Sequence, residues 1–231
     1  DANVSDGPIN PLGAWLLATG DEGAVIVIWD LARRLPRSYC RGTSWRVTAV
    51  AFHPNGMILA SAGRNEPRLW DVASGEPLLR LGHPSAGDSG ALAFDATGER
   101  LVVGGEADKP EKATIALWDL EMQRGIHTLY GLGRSSARKV WFSPNSARVA
   151  ALSDARQLCV WDVAKDCLLC RFDVPAGSFA DQTGGCFDTT GGRFAVASIE
   201  EARLFDMNNS TNSRGWRLER RGWAKIGRAH V

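Results

Sequence analysis

Short apolar segments alternate with polar turns along most of the chain, and this pattern predicts short β-strands. In the clearest stretch, short segments with a high share of apolar residues occupy 47–52, 57–62, 67–70 and 77–81. The intervening turns contain residues suited to tight bends, such as Pro54-Asn55-Gly56 and the Asp that opens 71–76. No segment has the 3.6-residue apolar period of a long amphipathic helix. The sequence therefore predicts an all-β fold.

Two aromatic markers recur in step along the chain. The first is an aliphatic residue followed by Trp or Phe and then Asp, with the aromatic residues spaced by 41, 48, 43 and 44 positions. The second is a Phe that precedes the next such aromatic residue by 18, 24, 19 and 18 positions. The first set is Trp29, Trp70, Trp118, Trp161 and Phe205, and the second is Phe52, Phe94, Phe142 and Phe187. Their common step predicts a repeated unit of about 44 residues with four strands.

This unit resembles the WD repeat, from which β-propellers are built. The resemblance rests on the Trp-Asp pairs at 29–30, 70–71, 118–119 and 161–162, the Phe-x-Pro turns at 52–54 and 142–144, and Gly82-His83. It implies twisted four-stranded blades stacked around an axis. The aromatic residues of the first marker would then be large side chains inserted between blades. The pattern departs from the family in having one Gly-His pair and Phe205 in place of a fifth Trp.

About five blades are predicted, at approximately 1–40, 41–81, 82–130, 131–172 and 173–220, within a propeller domain spanning 1–224. Because propellers of this family usually have six to eight blades, we expect an incomplete ring and a longer, multidomain protein. Segment 225–231 fits none of these units, and we expect it to be a non-native C-terminal read-through.

Charge and hydropathy argue against two classes of partner. The chain of 231 residues has 27 Lys and Arg against 26 Asp and Glu, whereas a dedicated nucleic-acid-binding domain should be clearly basic. Its longest apolar run, 24–29, is too short for a membrane span. These features predict neither a nucleic-acid nor a membrane partner.

The cysteines and histidines give little sign of chemistry. Cys167 and Cys170 have the spacing of half a zinc site, but no second pair follows, so no metal, cofactor or disulfide framework is predicted. Scattered free cysteines weakly favour the cytoplasm. His53 lies in a turn and is expected to be exposed to solvent. No nucleophile–His–acid motif or phosphate-binding loop is recognisable.

The leading hypothesis is a non-catalytic scaffold that binds a protein or peptide through one face of the propeller. Alignment on the Phe markers places Arg46 and Asp181 just before innermost strands, and the third unit is six residues longer than the second between its markers, in 105–113. In the resembling family this face carries binding loops. The nominated residues are Arg46, Arg64, Asn65, Glu106, Lys109, Lys112, Asp154, Arg156 and Asp181. A hydrolase-like propeller enzyme with a site in the central channel, or a nucleic-acid-binding propeller, remains an alternative.

Overall fold

The structure is a computed structural model, and it describes residues 16–20, 23–43, 46–63, 67–82, 89–105, 115–122, 124–133, 135–174, 184–197, 201–207 and 213–217. Within these ranges the chain forms nineteen strands and no helix. The strands build five consecutive antiparallel sheets. The described residues contain no helix of the length and hydropathy that crossing a membrane requires.

Each sheet uses strands in chain order. Sheet 1 contains β1 (Leu16–Gly20), β2 (Ile26–Asp30) and β3 (Leu35–Cys40). Sheet 2 contains β4 (Val47–Phe52), β5 (Ile58–Gly63), β6 (Arg68–Asp71) and β7 (Pro77–Arg80). Sheet 3 contains β8 (Ser89–Phe94), β9 (Arg100–Gly105), β10 (Ile115–Asp119) and β11 (Arg124–Leu129). Sheet 4 contains β12 (Ala137–Phe142), β13 (Arg148–Ser153), β14 (Gln157–Asp162) and β15 (Cys167–Asp173). Sheet 5 contains β16 (Gly184–Phe187), β17 (Arg193–Ala197), β18 (Glu201–Asp206) and β19 (Ser213–Arg217).

The sheets stack face to face like propeller blades, which confirms the predicted all-β fold class. The first strands of sheets 2 to 5 contact one another in sequence, so they lie on the inner side of the stack. A separate apolar cluster fills each of the four junctions between consecutive sheets. The described strands form an open arc, because sheets 1 and 5 each pack against one neighbouring sheet.

Side chains along a strand alternate between the two faces of its sheet, and this explains why a middle strand such as β13 is apolar at nearly every position. In β13, Val149 and Ala151 belong to the cluster shared with sheet 3, whereas Ala150 and Leu152 belong to the cluster shared with sheet 5. Successive side chains of a strand point to opposite faces, and here both faces are covered by a neighbouring sheet. The continuous apolar runs therefore follow from burial on two sides.

The two sequence markers form one row across each of sheets 2 to 5. In sheet 2, Phe52 pairs with Leu59, and Leu59 pairs with Trp70, so the three side chains share a face. All three belong to the cluster between sheets 1 and 2. The same row recurs in the later sheets, as Phe94–Leu101–Trp118, Phe142–Val149–Trp161 and Phe187–Phe194–Phe205. The constant step between the markers therefore reflects a row that faces the preceding sheet.

The Asp of each Trp-Asp pair closes the turn that follows its strand. The Asp71 carboxylate accepts a hydrogen bond from Ser74 N at 2.7 Å, and Asp162 accepts one from Lys165 N at 2.9 Å. Asp30 and Asp119 do the same for the residue three positions ahead. The Ser74 hydrogen bonds lower the pKa of Asp71, because they stabilise its ionised form. The repeated Asp thus has a local structural role.

Ser146 provides a test of the turn between the first two strands of sheet 4. It has a φ of 54°, whereas Gly56 and Gly98 hold the corresponding place in sheets 2 and 3. Its buried hydroxyl has no hydrogen-bond partner among the described residues. We expect Ser146→Gly to raise the free energy of unfolding by about 0.5–1 kcal/mol, measured by urea denaturation. Ser146→Ala keeps the strained φ and should raise the free energy of unfolding by less. An equal increase for the two variants would contradict the explanation from backbone strain.

Candidate interaction surface

The stack has two ends with different turns. We call the upper end the one at which the innermost strands β4, β8, β12 and β16 begin and at which the second and third strands of sheets 2 to 5 are joined. In sheet 1, where β2 carries the Trp-Asp pair, β1 and β2 are joined at this end. The lower end carries the turns between first and second strands and between third and fourth strands of sheets 2 to 5, and the β2–β3 turn of sheet 1. Because all the sheets stack side by side, residues far apart in sequence meet at each end.

Backbone contacts bring the predicted segments together at the upper end. Asp154 N donates a hydrogen bond to Ser136 O at 3.0 Å, which joins the β13–β14 turn to the start of β12. In sheet 2, a Cβ added to Gly63 would lie 2.7 Å from Arg46 O. Sheet 3 reaches sheet 4 at this end, since a Cβ on Gly104 would lie 2.7 Å from Ala137 Cβ. These approaches bring a turn beside an inner-strand start in sheets 2 and 4, and they join sheet 3 to sheet 4 at this end.

Three of the nominated residues lie on described parts of this surface. Arg46, Asp154 and Arg156 are all exposed, and they occupy the start of β4 and the β13–β14 turn. The other nominated residues lie outside the described residues: Arg64, Asn65, Glu106, Lys109, Lys112 and Asp181. Their assignment to this surface stays a prediction from the sequence.

The β13–β14 turn holds its two exposed charges in a defined backbone conformation. Arg156 has a φ of 62°, and its N–H donates to Ser153 O at 3.0 Å. Its carbonyl accepts a hydrogen bond from Val174 N at 2.8 Å, which ties the turn to the end of β15. The Arg156 side chain therefore extends into solvent from a well-anchored backbone.

Sequence reasoning missed Arg138. The pairing of the inner strands β4, β8 and β12 with their neighbours skips one residue near the upper end, and these residues are Thr48, Gly90 and Arg138. Such a bulge increases strand twist and redirects the side chain. Arg138 is exposed, and it adds a cation beside Ser136. The alternation of apolar residues gave no signal of the bulge, because one extra residue in a short strand leaves the overall pattern intact.

His53 does not have the solvent-exposed position expected from its turn. It is half-buried at the lower end, where its Nε2 lies 3.0 Å from Gly98 O of the next sheet and its Nδ1 accepts from Asn55 N. Its ring also meets Phe94 edge-on at a centroid distance of 5.0 Å. The expectation was wrong because the neighbouring sheet, which the local sequence does not reveal, covers the turn.

Similar bonds link sheets 4 and 5 at the lower end. Asn145 Nδ2 donates to Thr190 O at 3.1 Å, and Arg148 Nη1 donates to Gly191 O at 2.6 Å. The lower turns are therefore part of the stacking.

The five cysteines form no metal site within the described parts of the chain, where no group of three or more His, Cys, Asp or Glu could hold an ion. Of the spaced pair, Cys167 is exposed and Cys170 is buried. Burial raises the pKa of Cys40 to about 12 and that of Cys170 to about 11. Burial also raises the pKa of Cys159.

These positions predict two classes of thiol. At neutral pH we expect a maleimide to label Cys167 and Cys186 of the native protein, because both are exposed. Cys40, Cys159 and Cys170 should react only after unfolding, since they are buried and protonated. Mass spectrometry of peptides from native and urea-treated samples would measure this. Equal labelling of all five in the native sample would show that the sheets are packed otherwise.

Comparisons with known proteins agree with this architecture. Residues 35–71 match the family model described as "WD domain, G-beta repeat". The chain is 31% identical over 173 residues to WD repeat-containing protein VIP3 of Arabidopsis thaliana, covering 67% of this chain and 50% of that protein. It is 29% identical over 230 residues to nuclear distribution protein PAC1 of Coccidioides posadasii, covering 89% of this chain and 45% of that protein. A third relative is pre-mRNA-processing factor 19 homolog 2 of Arabidopsis thaliana, 26% identical over 151 residues, with 65% of this chain and 28% of that protein covered. The chain thus spans between about a quarter and a half of the length of these relatives.

Proposed function

This chain belongs to the WD-repeat family, and we propose that it is a non-catalytic platform that binds a protein or peptide partner at the upper end of its stacked sheets. The observation that carries the proposal is that inner-strand starts and β-turns lie together at that end, where sheets 3 and 4 also approach each other. Charged side chains there, among them Arg46 and Arg156, are exposed, and hydrogen bonds anchor the backbone of Arg156. Such a surface can change its side chains while the sheets stay in place.

The lower end is less suited to this role. His53, Asn145 and Arg148 use their polar groups to bond to the backbone of the next sheet. Substitutions there would alter stacking as well as any contact with a partner. The difference between the ends supports the upper end as the binding surface.

The charges at the upper end favour a protein partner over a phosphate backbone. Arg46, Arg138 and Arg156 are accompanied by Asp154, and the sequence places further acids in the neighbouring turns. A nucleic-acid surface should instead present a basic stripe. Arg is also favoured at the centre of protein interfaces, where it anchors the partner.

The proposal is tested by reversing two charges at each end. Partners are first captured with the wild-type chain and purified, and their dissociation constants are then measured by calorimetry. Arg46→Glu with Arg156→Glu should weaken the complex at least about tenfold, or about 1.4 kcal/mol. Arg33→Glu with Lys165→Glu is the matched control, because these side chains are 83% and 74% exposed in lower-end turns. Urea midpoints of both double variants check that each remains folded.

Each result distinguishes the hypotheses. A loss of binding in the control but not in the upper-end variant would move the binding surface to the lower end. Binding to DNA or RNA that weakens steeply with salt would favour the nucleic-acid alternative. Turnover of a hydrolase substrate that survives removal of all partners would favour the enzyme alternative.

A further inference from the structure

The residue that follows the Phe marker has a different role in sheet 2 than in sheets 3 to 5. In those three sheets its side chain accepts a hydrogen bond from the backbone N–H five positions ahead, within its own turn. The three residues are Asp95, Ser143 and Asp188. In sheet 2 this place is held by His53, whose ring reaches the turn of the next sheet instead. The junction between sheets 2 and 3 therefore depends on a side chain that titrates.

Both partners of the His53 ring are backbone groups, so the roles of its two nitrogens are fixed. Gly98 O can only accept, so Nε2, at 3.0 Å, carries a hydrogen and donates to it. Asn55 N–H can only donate, so Nδ1, at 3.0 Å, is unprotonated and accepts from it. The geometry therefore selects the neutral imidazole with its hydrogen on Nε2.

A second proton on this ring cannot be accommodated without a change of structure. It would bind at Nδ1, where it would face the N–H of Asn55 and remove that hydrogen bond. The ring has little room to turn, because a Cβ on Gly98 would overlap it and Phe94 meets it edge-on at a centroid distance of 5.0 Å. A turn of the ring would also take Nε2 away from Gly98 O. Protonation of His53 therefore disrupts either its own turn or its bond to sheet 3.

The charged groups around His53 do not offset this cost. The segments packed against its turn carry Asp71, Asp95, Glu99 and Arg100. Asp95 is directed into its own turn by hydrogen bonds from Thr97 Oγ1 and Arg100 N, and Asp71 accepts from the backbone of the turn that follows it. Glu99 is exposed. Among the described residues no carboxylate bonds to the imidazole, so a protonated ring gains no ion pair there.

Two other junctions have contacts that respond differently to acid. Gly191 is the counterpart of Gly98 in sheet 5, and its carbonyl accepts from Arg148 Nη1 at 2.6 Å. A guanidinium stays protonated throughout the range in which imidazole titrates. Between sheets 3 and 4, His127 Nδ1 lies 3.2 Å from Asp166 Oδ2, so protonation of His127 favours that contact. The acid sensitivity is therefore specific to the junction that contains His53.

We propose that His53 forms an acid-sensitive contact that holds sheets 2 and 3 together while its ring is neutral. The unfolded chain takes up a proton on this side chain without losing any bond. The stabilisation from His53 is therefore present at neutral pH, and it is lost as the solution is acidified from about pH 8 to about pH 5. The contact lies at the lower end, away from the proposed partner surface, so acid would loosen one junction without changing that surface directly.

Urea denaturation at the two ends of this pH range tests the proposal. The urea midpoint of the wild-type chain should be lower in acid, and at least about half of this fall should be absent in His53→Gln, whose amide can donate to Gly98 O and does not titrate. His53→Asp introduces the residue that sheets 3 and 5 use at this place, and it should show the same reduced fall. His127→Gln is the matched control, and its midpoint should fall in acid at least as much as that of the wild type.

Hydrogen exchange of the unmodified chain locates the effect and does not depend on any variant. After correction for the intrinsic effect of pH, acid should reduce protection in peptides from the β4–β5 and β8–β9 turns. Peptides from the junction of sheets 4 and 5 should keep their protection.

Three results would overturn the proposal. One is a wild-type midpoint that does not fall in acid. Another is a fall of the same size in the wild type and in the His53 variants that fold. The third is an equal loss of protection at both junctions, which would show that the acid effect is general.

Discussion

Replacing Trp70 with alanine is expected to lower the free energy of unfolding by about 3–5 kcal/mol, measured by urea denaturation. The Trp70 side chain is completely buried in the cluster between sheets 1 and 2. Its Nε1 donates to Ser61 Oγ at 2.8 Å, so the substitution removes a hydrogen bond as well as apolar contacts. Because a neighbouring sheet lies on each side, the cavity can collapse little.

Trp29→Ala is the matched control for this prediction. Trp29 also lies between an aliphatic residue and Asp and has the same row position, and its Nε1 donates to Thr19 Oγ1 at 2.9 Å. Its face is open, so the loss should be at most about 2 kcal/mol. Equal losses for the two variants would show that burial between sheets does not decide the contribution of this residue.

The second large effect is expected from Gly104→Val, which should destabilise the chain by about 1–3 kcal/mol through overpacking. Gly104 lies in β9, where sheet 3 closely approaches sheet 4. A Cβ there would lie 2.7 Å from Ala137 Cβ and 3.2 Å from Val140 Cγ1. The glycine is needed for this approach, and the two sheets must separate to admit a side chain.

Gly184→Val is the corresponding control. Gly184 also lies in a strand, at the start of β16, but a Cβ there would meet no atom within 4 Å. The change should therefore be neutral or slightly stabilising, because Val favours strand geometry. If Gly184→Val lowered the free energy of unfolding as much as Gly104→Val, then glycine itself, and not the close contact of the sheets, would be required.

The repeat was predictable from the sequence because its markers lie in fixed rows. Phe52 and Trp70 face the same junction through Leu59, so the spacing of the two aromatics is set by two strands and two turns. The strand predicted at 47–52 has the bounds of β4. Local sequence was sufficient here because each strand's pattern and each turn's residues agree with the fold.

Contacts between sheets were not predictable in the same way. Trp29 and Trp70 each lie between an aliphatic residue and Asp, and the presence of a preceding sheet makes one buried and the other exposed. Likewise, His53 was expected to face solvent, and its bond to Gly98 O depends on a residue 45 positions away. Of the candidate surface, Arg46, Asp154 and Arg156 could be placed from turn positions, whereas the bulge at Arg138 could not.

The central claim is that each sheet uses its two faces for two separate junctions. A pair of double-mutant cycles in urea denaturation tests it most directly. Phe172 and Phe205 meet across the junction of sheets 4 and 5 at a centroid distance of 4.5 Å, whereas Trp161 lies on the opposite face of sheet 4. Phe172→Leu combined with Phe205→Leu should show a coupling energy of about 0.5–3 kcal/mol. Trp161→Leu combined with Phe205→Leu should be additive within about 0.5 kcal/mol. Additivity in the first cycle together with coupling in the second would contradict the stacked arrangement.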